Sequence, residues 1–165
     1  MEIYILRHGI AETAGRGMSD ADRALVPEGK KKMRAVLRIA REVGVAPDII
    51  LSSPYRRAVE TVELAAEALG YDGEIVRTDA LLPNRSPHDA WEEIRTHRSE
   101  KQVLLSGHEP QLGYLAALLL GAPSMLIDLK KGSLLRIDVD NPSPQPQGVL
   151  RWYLTPALAL ACSLS

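Results

Sequence analysis

The feature that most limits what this chain can fold into is a recurring order: a short apolar run, a polar turn, then a segment of helical period. Ile3 to Leu6 is the first such run. Asp48 to Leu51 is the second. It leads into Ser52-Ser53-Pro54 and then a segment in which Ala58, Val62, Ala65, Ala66 and Leu69 keep helical spacing until Gly70. In that segment Ser53 reads as the helix N-cap and Pro54 as the first helical residue. Val103 to Ser106 is a further run, followed by Gly107-His108-Glu109-Pro110 and a helix through Leu120 that Gly121 closes. Between the runs, Glu28 to Val43 carries Met33, Val36, Leu37, Ala40 and Val43 on one stripe, with its lysines and arginines mostly on a solvated face. Glu74 to Val76 reads as a short strand and Pro87 to His97 as a helix with Trp91 and Ile94 inward. Leu134 to Val139 and Val149 to Leu154 read as two late strands, joined by a proline-rich surface loop. Strands that alternate with helices of this length predict an α/β fold. The expected form is a three-layer α/β/α sandwich with a mostly parallel central sheet and helices on both faces.

Composition removes several alternatives. At 165 residues a single domain spanning 1–165 is expected, and 12 glycines with 11 prolines fall well below the share that marks collagen-like or disordered chains. The formal net charge of −1 is not the footprint of a nucleic-acid binder, so any anion site must be local. No apolar stretch approaches the ~18 residues of a membrane span. The N-terminus, Met1-Glu2-Ile3-Tyr4, lacks the basic region of a secretory signal, and the single cysteine, Cys162, cannot form an internal disulfide. These readings predict a cytoplasmic monomer with no nucleic-acid or membrane partner. With no phenylalanine in the chain, the core must be built mainly from Leu, Ile, Val and Ala.

In open parallel sheets, ligands bind beyond the carboxyl ends of the strands. There this chain places Arg7-His8-Gly9, Ser53-Pro54-Tyr55-Arg56-Arg57 and Gly107-His108. Two imidazoles and at least two guanidiniums at one sheet edge outline an oxyanion site. Arginine offers a permanently charged planar fork to phosphate oxygens, while a histidine among guanidiniums is biased to its neutral, nucleophilic form. Gly9 and Gly107 permit close backbone approach.

These segments resemble the motifs of the histidine phosphatase superfamily, the phosphoglycerate mutase-like proteins. Leu6-Arg7-His8-Gly9 is similar to its N-terminal signature, and Arg23-Ala24-Leu25 with Gly29 to the segment that leads into its first helix. Ser53-Pro54-Tyr55-Arg56-Arg57-Ala58 and Gly107-His108-Glu109-Pro110 resemble its second and third motifs. Lys131-Gly132-Ser133-Leu134 and Trp152-Tyr153-Leu154-Thr155-Pro156 are similar to the compact SixA-like phosphohistidine phosphatases in particular. The resemblance implies a phosphoglycerate mutase-like fold in which His8 is phosphorylated, Arg7, Arg57 and His108 hold the phosphoryl oxygens, and Gly9 and Ser53 complete the binding pocket. It implies neither a metal nor an organic cofactor.

One departure bears on the substrate. Relatives that act on alkyl phosphates carry a general acid in a Gly-, Trp- and Glu-rich segment after the second motif. This chain has Asp79-Ala80-Leu81-Leu82-Pro83-Asn84-Arg85-Ser86-Pro87 there, with Asp79 the nearest acid. The interval from Arg57 to His108 is filled by a helix, a strand, a helix and a strand, which leaves no room for a lid insertion. Both features favour phosphohistidine on a protein partner, such as a phosphorelay or phosphocarrier domain. The competing readings are a broad or small-molecule phosphomonoesterase, a non-catalytic phosphoprotein-binding module, and a metallohydrolase built on His8 and His108. His88, His97, Arg85, Glu12, Glu109 and Cys162 are read as ordinary positions without a role in the chemistry.

Overall fold

The structure, a computed structural model, describes residues 1–162. Six strands form one sheet: β1 (Glu2–Arg7), β2 (Ile49–Ser52), β3 (Ile75–Arg77), β4 (Gln102–Gly107), β5 (Leu134–Asp138) and β6 (Val149–Leu154). Their spatial order is β3-β2-β4-β1-β5-β6. Only β5 runs against the others, because β1, β2, β3 and β4 pair in parallel while β5 is antiparallel to both β1 and β6. The expected mostly parallel α/β/α sandwich is what forms.

Alternation along the strands sorts the core onto two faces, since successive side chains point to opposite sides of a sheet. Ile3, Ile5, Leu51, Val103, Leu105, Leu135 and Ile137 lie on one face. There they pack beneath α3 (Pro87–Thr96) and α4 (Gln111–Leu119). Tyr4, Leu6, Ile50, Leu104 and Leu134 lie on the other. That face is covered by α1 (Pro27–Glu42), α2 (Arg56–Leu69) and α5 (Pro156–Cys162). Because both faces are covered, the strands read as continuous apolar runs rather than alternating ones. Aliphatic residues dominate the core as expected, joined by fully buried Tyr4 and Trp91. The proline-rich segment between β5 and β6 is pinned rather than free: Trp91 Nε1 donates to Ser143 O at 2.9 Å and Arg95 Nε to Pro142 O at 2.9 Å.

One helix start differs from the sequence expectation. α2 begins at Arg56 with Tyr55 as its N-cap, and Ser53 does not cap it. The cause is the sheet, which extends its pairing past β2: Ser53 N–H donates to Ser106 O at 2.9 Å, and Ser52 O accepts from Thr78 N–H at 2.9 Å. The chain is therefore still extended at Ser53 and turns only after Pro54. α4 begins at Gln111, directly after Pro110 as the sequence places it, with Pro110 as its N-cap. Among the described residues no helix is long and apolar enough to cross a membrane.

Two glycines fix the loop after β1. Gly29 lies so close to it that an added Cβ would sit 2.3 Å from Ile10 O, so only glycine lets α1 pack there. Gly132, at φ 76°, turns the chain so that its N–H donates to Arg7 O and His8 O.

Candidate active site

The central strands β2, β4 and β1 are neighbours, so their exits converge. Backbone bonds tie them together: His8 N–H donates to Gly107 O at 3.3 Å, and Ser53 is bound to Ser106 O. This edge gathers His8, Arg57 and His108, all at most 6% exposed, with buried Gly9 and Ser53 beside them. The two imidazole centroids are 5.2 Å apart.

The hydrogen-bond network assigns the proton on the His8 ring. His8 Nδ1 lies 2.7 Å from Gly9 O, which can only accept, so Nδ1 carries the hydrogen and Nε2 keeps its lone pair. Arg57 Nε donates to that lone pair at 3.3 Å. On the second ring, Nε2 lies 2.8 Å from Ser53 Oγ, which also accepts from Tyr55 N–H. With Ser53 donating its hydroxyl proton, His108 Nδ1 becomes an N–H donor. That Nδ1 is buried and has no partner among the described residues, and the same is true of Arg7 Nε. Ser53, expected as a cap or as a phosphate ligand, thus orients His108. Tyr55 sets its ring edge-on to His108 at 5.2 Å and lies 5.1 Å beneath the Arg57 guanidinium. Thr61 Oγ accepts from Gly9 N–H at 3.1 Å and donates to Arg57 O at 2.7 Å, which fastens the loop after β1 to α2.

Arg7 is held by its own contacts. Its Nη1 donates to Leu129 O at 2.5 Å, so the segment before β5 fixes the first guanidinium. Arg57 is held by a residue that sequence reasoning missed, Asp20. Arg57 Nη1 donates to Asp20 O at 2.6 Å, and Nη2 to Asp20 Oδ2 at 3.1 Å. Arg23 Nη1 takes the other carboxylate oxygen at 2.8 Å. The hydrogen bond from Arg23, aided by that from Arg57, holds the Asp20 carboxyl below its usual range. The available signal was spacing: Asp20 stands three residues before Arg23, in the loop that follows the first histidine.

Residues read as ordinary divide into two groups. Arg85 and His88 are exposed, Asp79 is exposed at the start of a short 3-10 turn, and Cys162 is exposed. Glu12 and Glu109 instead do structural work: Glu12 Oε1 accepts from Ala24 N–H at 2.9 Å, and Glu109 Oε1 from Gly113 N–H at 2.9 Å. Half-buried His97 pairs with Glu93 at 3.4 Å. Among the described residues no three His, Cys, Asp or Glu side chains gather as a metal site.

Burial dominates the electrostatics of both rings. It pushes His8 down from 6.5 to about 4; the Gly9 carbonyl opposes this, while Arg57, Arg7 and Lys131 add to it. His108 falls to about 3, again through burial, helped by His8 and Arg57. A nucleophile at Nε2 must be unprotonated, and this environment keeps it so at neutral pH. Because the folded values lie below the unfolded 6.5, the unfolded chain binds more protons between pH 6.5 and about 4. The stabilising contribution is whole above pH 6.5 and is lost as the pH falls through that window. NMR titration should show both rings neutral from pH 8 to 5.5, and the midpoint of thermal unfolding should drop as the pH falls below 6.5. A His8 ring titrating near 6.5 would contradict this account.

The geometry has counterparts among known proteins. The family model of the histidine phosphatase superfamily (branch 1) matches residues 3–82, a span that contains Arg7, His8, Ser53 and Arg57. An uncharacterized protein of Picosynechococcus sp. is 32% identical over 137 residues, covering 82% of this chain and 83% of that one. The chain belongs to the histidine phosphatase superfamily. Within that superfamily it is similar to the phosphohistidine phosphatase SixA of Escherichia coli, 28% identical over 123 residues, 71% of this chain and 73% of that one. The solved structure of the protein histidine phosphatase SixA complexed with tungstate overlays it with a TM-score of 0.85 at 24% identity, covering 100% of both chains. It therefore shares the phosphoglycerate mutase-like fold of the superfamily.

Proposed function

We propose that this protein is a metal-independent phosphatase that hydrolyses phosphohistidine on another protein through a covalent phospho-His8 intermediate. The observation that carries this reading is the state of His8: neutral, Nδ1–H tied to Gly9 O, and Nε2 unprotonated against the Arg57 guanidinium. In the first step His8 Nε2 bonds to phosphorus as the substrate's N–P bond breaks, and the departing imidazole nitrogen takes a proton from solvent. In the second step water attacks phosphorus, the phospho-His8 bond breaks, and inorganic phosphate leaves with neutral His8 restored. Arg7, Arg57 and His108 Nδ1–H are donors for the three equatorial oxygens, fixed before the charge develops. The two donors left without protein partners, Arg7 Nε and His108 Nδ1, are ones a phosphoryl group would satisfy.

The leaving group decides the substrate class. An alkoxide needs a proton from an acid, whereas an imidazole departs more readily. The segment 79–87 offers only exposed Asp79, and Asp20 is ionised between two arginines; burial pushes the Glu109 carboxyl up, but its Oε1 is committed to Gly113 N–H. Similarity to the SixA phosphohistidine phosphatase of E. coli points the same way. A phosphorelay or phosphocarrier domain is the partner this reading favours.

A comparison of a phosphohistidine peptide with a simple alkyl phosphate tests it. We expect kcat/KM to favour the N–P substrate by at least about tenfold, or roughly 1.4 kcal/mol in the barrier, and excess chelator to leave the rate unchanged. Faster turnover of the alkyl phosphate would overturn the substrate class; loss of activity with chelator would overturn the metal-independent chemistry.

A further inference from the structure

Beside the phosphoryl pocket lies a second depression, a cleft of about 570 Å³ with Arg7 as the shared wall. Its other cations come from separate elements: Lys32 from α1, and Lys130 and Lys131 from the segment that precedes β5. Its remaining lining is Ile10, Thr155, Pro156 and Ala157, apolar except for the Thr155 hydroxyl. We infer that this cleft is a docking surface for an acidic segment of the phosphoprotein substrate, seated beside the residue that is dephosphorylated. The inference rests on the proposed function and extends it to how the partner is chosen.

Charge balance within the cleft supports this assignment. Lys32 pairs with Glu28 at 2.7 Å and Lys130 with Asp128 at 2.5 Å, both on the surface, with side chains 37% to 71% exposed. Exposed pairs of this kind hold together weakly, so an incoming carboxylate can exchange for the resident one at little cost. Among the described residues Arg7 and Lys131 form no ion pair, so the cleft's four cations are matched by only two carboxylates there. This local excess stands out on a chain whose formal net charge is −1. The apolar lining suits a peptide whose acidic side chains alternate with aliphatic ones. The cations come from three separate elements, β1, α1 and the segment before β5. The open site leaves room for a folded partner to bring such a segment alongside its phosphohistidine.

The test uses two phosphohistidine peptides that differ only in flanking residues, one with Glu and Asp, the other with Gln and Asn. They are offered to wild type and to the Lys32→Glu/Lys130→Glu double variant, with an aryl phosphate as the control for basal chemistry. Wild type should prefer the acidic peptide by at least about tenfold in kcat/KM, chiefly through KM, and high salt should erase the preference as it screens exposed charges. The double variant should lose that preference while it keeps wild-type rates on the aryl phosphate. Equal rates on both peptides in wild type, or the same preference in the double variant, would overturn the docking surface. A preference for small bisphosphates over monophosphates that the double variant loses would assign the cleft to a second phosphate and overturn it as well. If neither phosphopeptide is hydrolysed while aryl phosphate is, the proposed substrate class fails. The surface is then judged by fluorescence anisotropy with the unphosphorylated acidic peptide: weaker binding to the double variant supports it, and equal or no binding overturns it.

Discussion

Replacing His8 with alanine should abolish turnover, lowering kcat on the order of 10⁴-fold or more, as loss of a covalent nucleophile does in other hydrolases. His8 is 6% exposed and its ring donates to Gly9 O, so part of the local order goes with it. His8→Asn provides the second variant: its side-chain amide can still donate to Gly9 O, but it has no nucleophilic nitrogen. Both variants should be inactive. Inactivity together with an unchanged circular dichroism spectrum and melting cooperativity places the loss in the chemistry rather than in the fold. Residual activity near wild type in either would remove His8 from the reaction. The non-catalytic reading is tested in the same samples, since a binding module would bind phosphoprotein equally well with or without the nucleophile and turn over neither.

Arg57→Ala should be the next most damaging change, with kcat falling about 10²- to 10³-fold, the cost usually seen when one preorganised donor to a developing anion is lost. Two further consequences follow from its contacts. Without the guanidinium, Asp20 keeps Arg23 as its side-chain partner among the described residues, which leaves a carboxylate beside the place where, on the proposed reading, phosphoryl oxygens would bind. The His8 lone pair also loses its Arg57 Nε–H partner. Arg57→Lys should rescue little, because an ammonium retains the charge but cannot reach His8 Nε2, Asp20 O and the Asp20 carboxylate at once, as the planar fork does. Steady-state kinetics on the same phosphohistidine peptide would read both. A lysine variant within threefold of wild type would mean that bulk positive charge, rather than the fork, supports the reaction.

The fold was legible because local signals and tertiary outcome agree along β1, β2 and β4. Apolar runs of strand length stand before turns that the sheet's own geometry places at one edge. Arg7, His8, Arg57 and His108 could be grouped from the sequence for the same reason: each stands at or soon after the end of a strand, and strand exits in parallel sheets converge. The misreadings share a different cause. Ser53 has the chemistry of an N-cap, but its backbone is claimed by β4 through Ser106 O and its hydroxyl by His108, partners 53 and 55 residues away in sequence. No local pattern announces such contacts. Asp20 was missed because its importance comes from Arg57, 37 residues away, and not from its neighbours. Glu12, treated as a surface acid, accepts the Ala24 N–H across the loop that β1 and α1 enclose. The Lys32, Lys130 and Lys131 cluster was equally invisible, because Lys32 sits on a helix face that looks merely solvated until the segment before β5 packs beside it.

The central claim is that phosphate passes through His8, and trapping the phosphoenzyme tests it most directly. Wild-type protein mixed with a radiolabelled phosphohistidine peptide and quenched in base during turnover should carry label that survives alkali and is lost in acid, as an N–P bond requires. Peptide mapping should place it on His8, and the His8→Ala variant should carry none. Label on any other residue, or turnover by wild type with no label under conditions that trap the intermediate, would contradict the account.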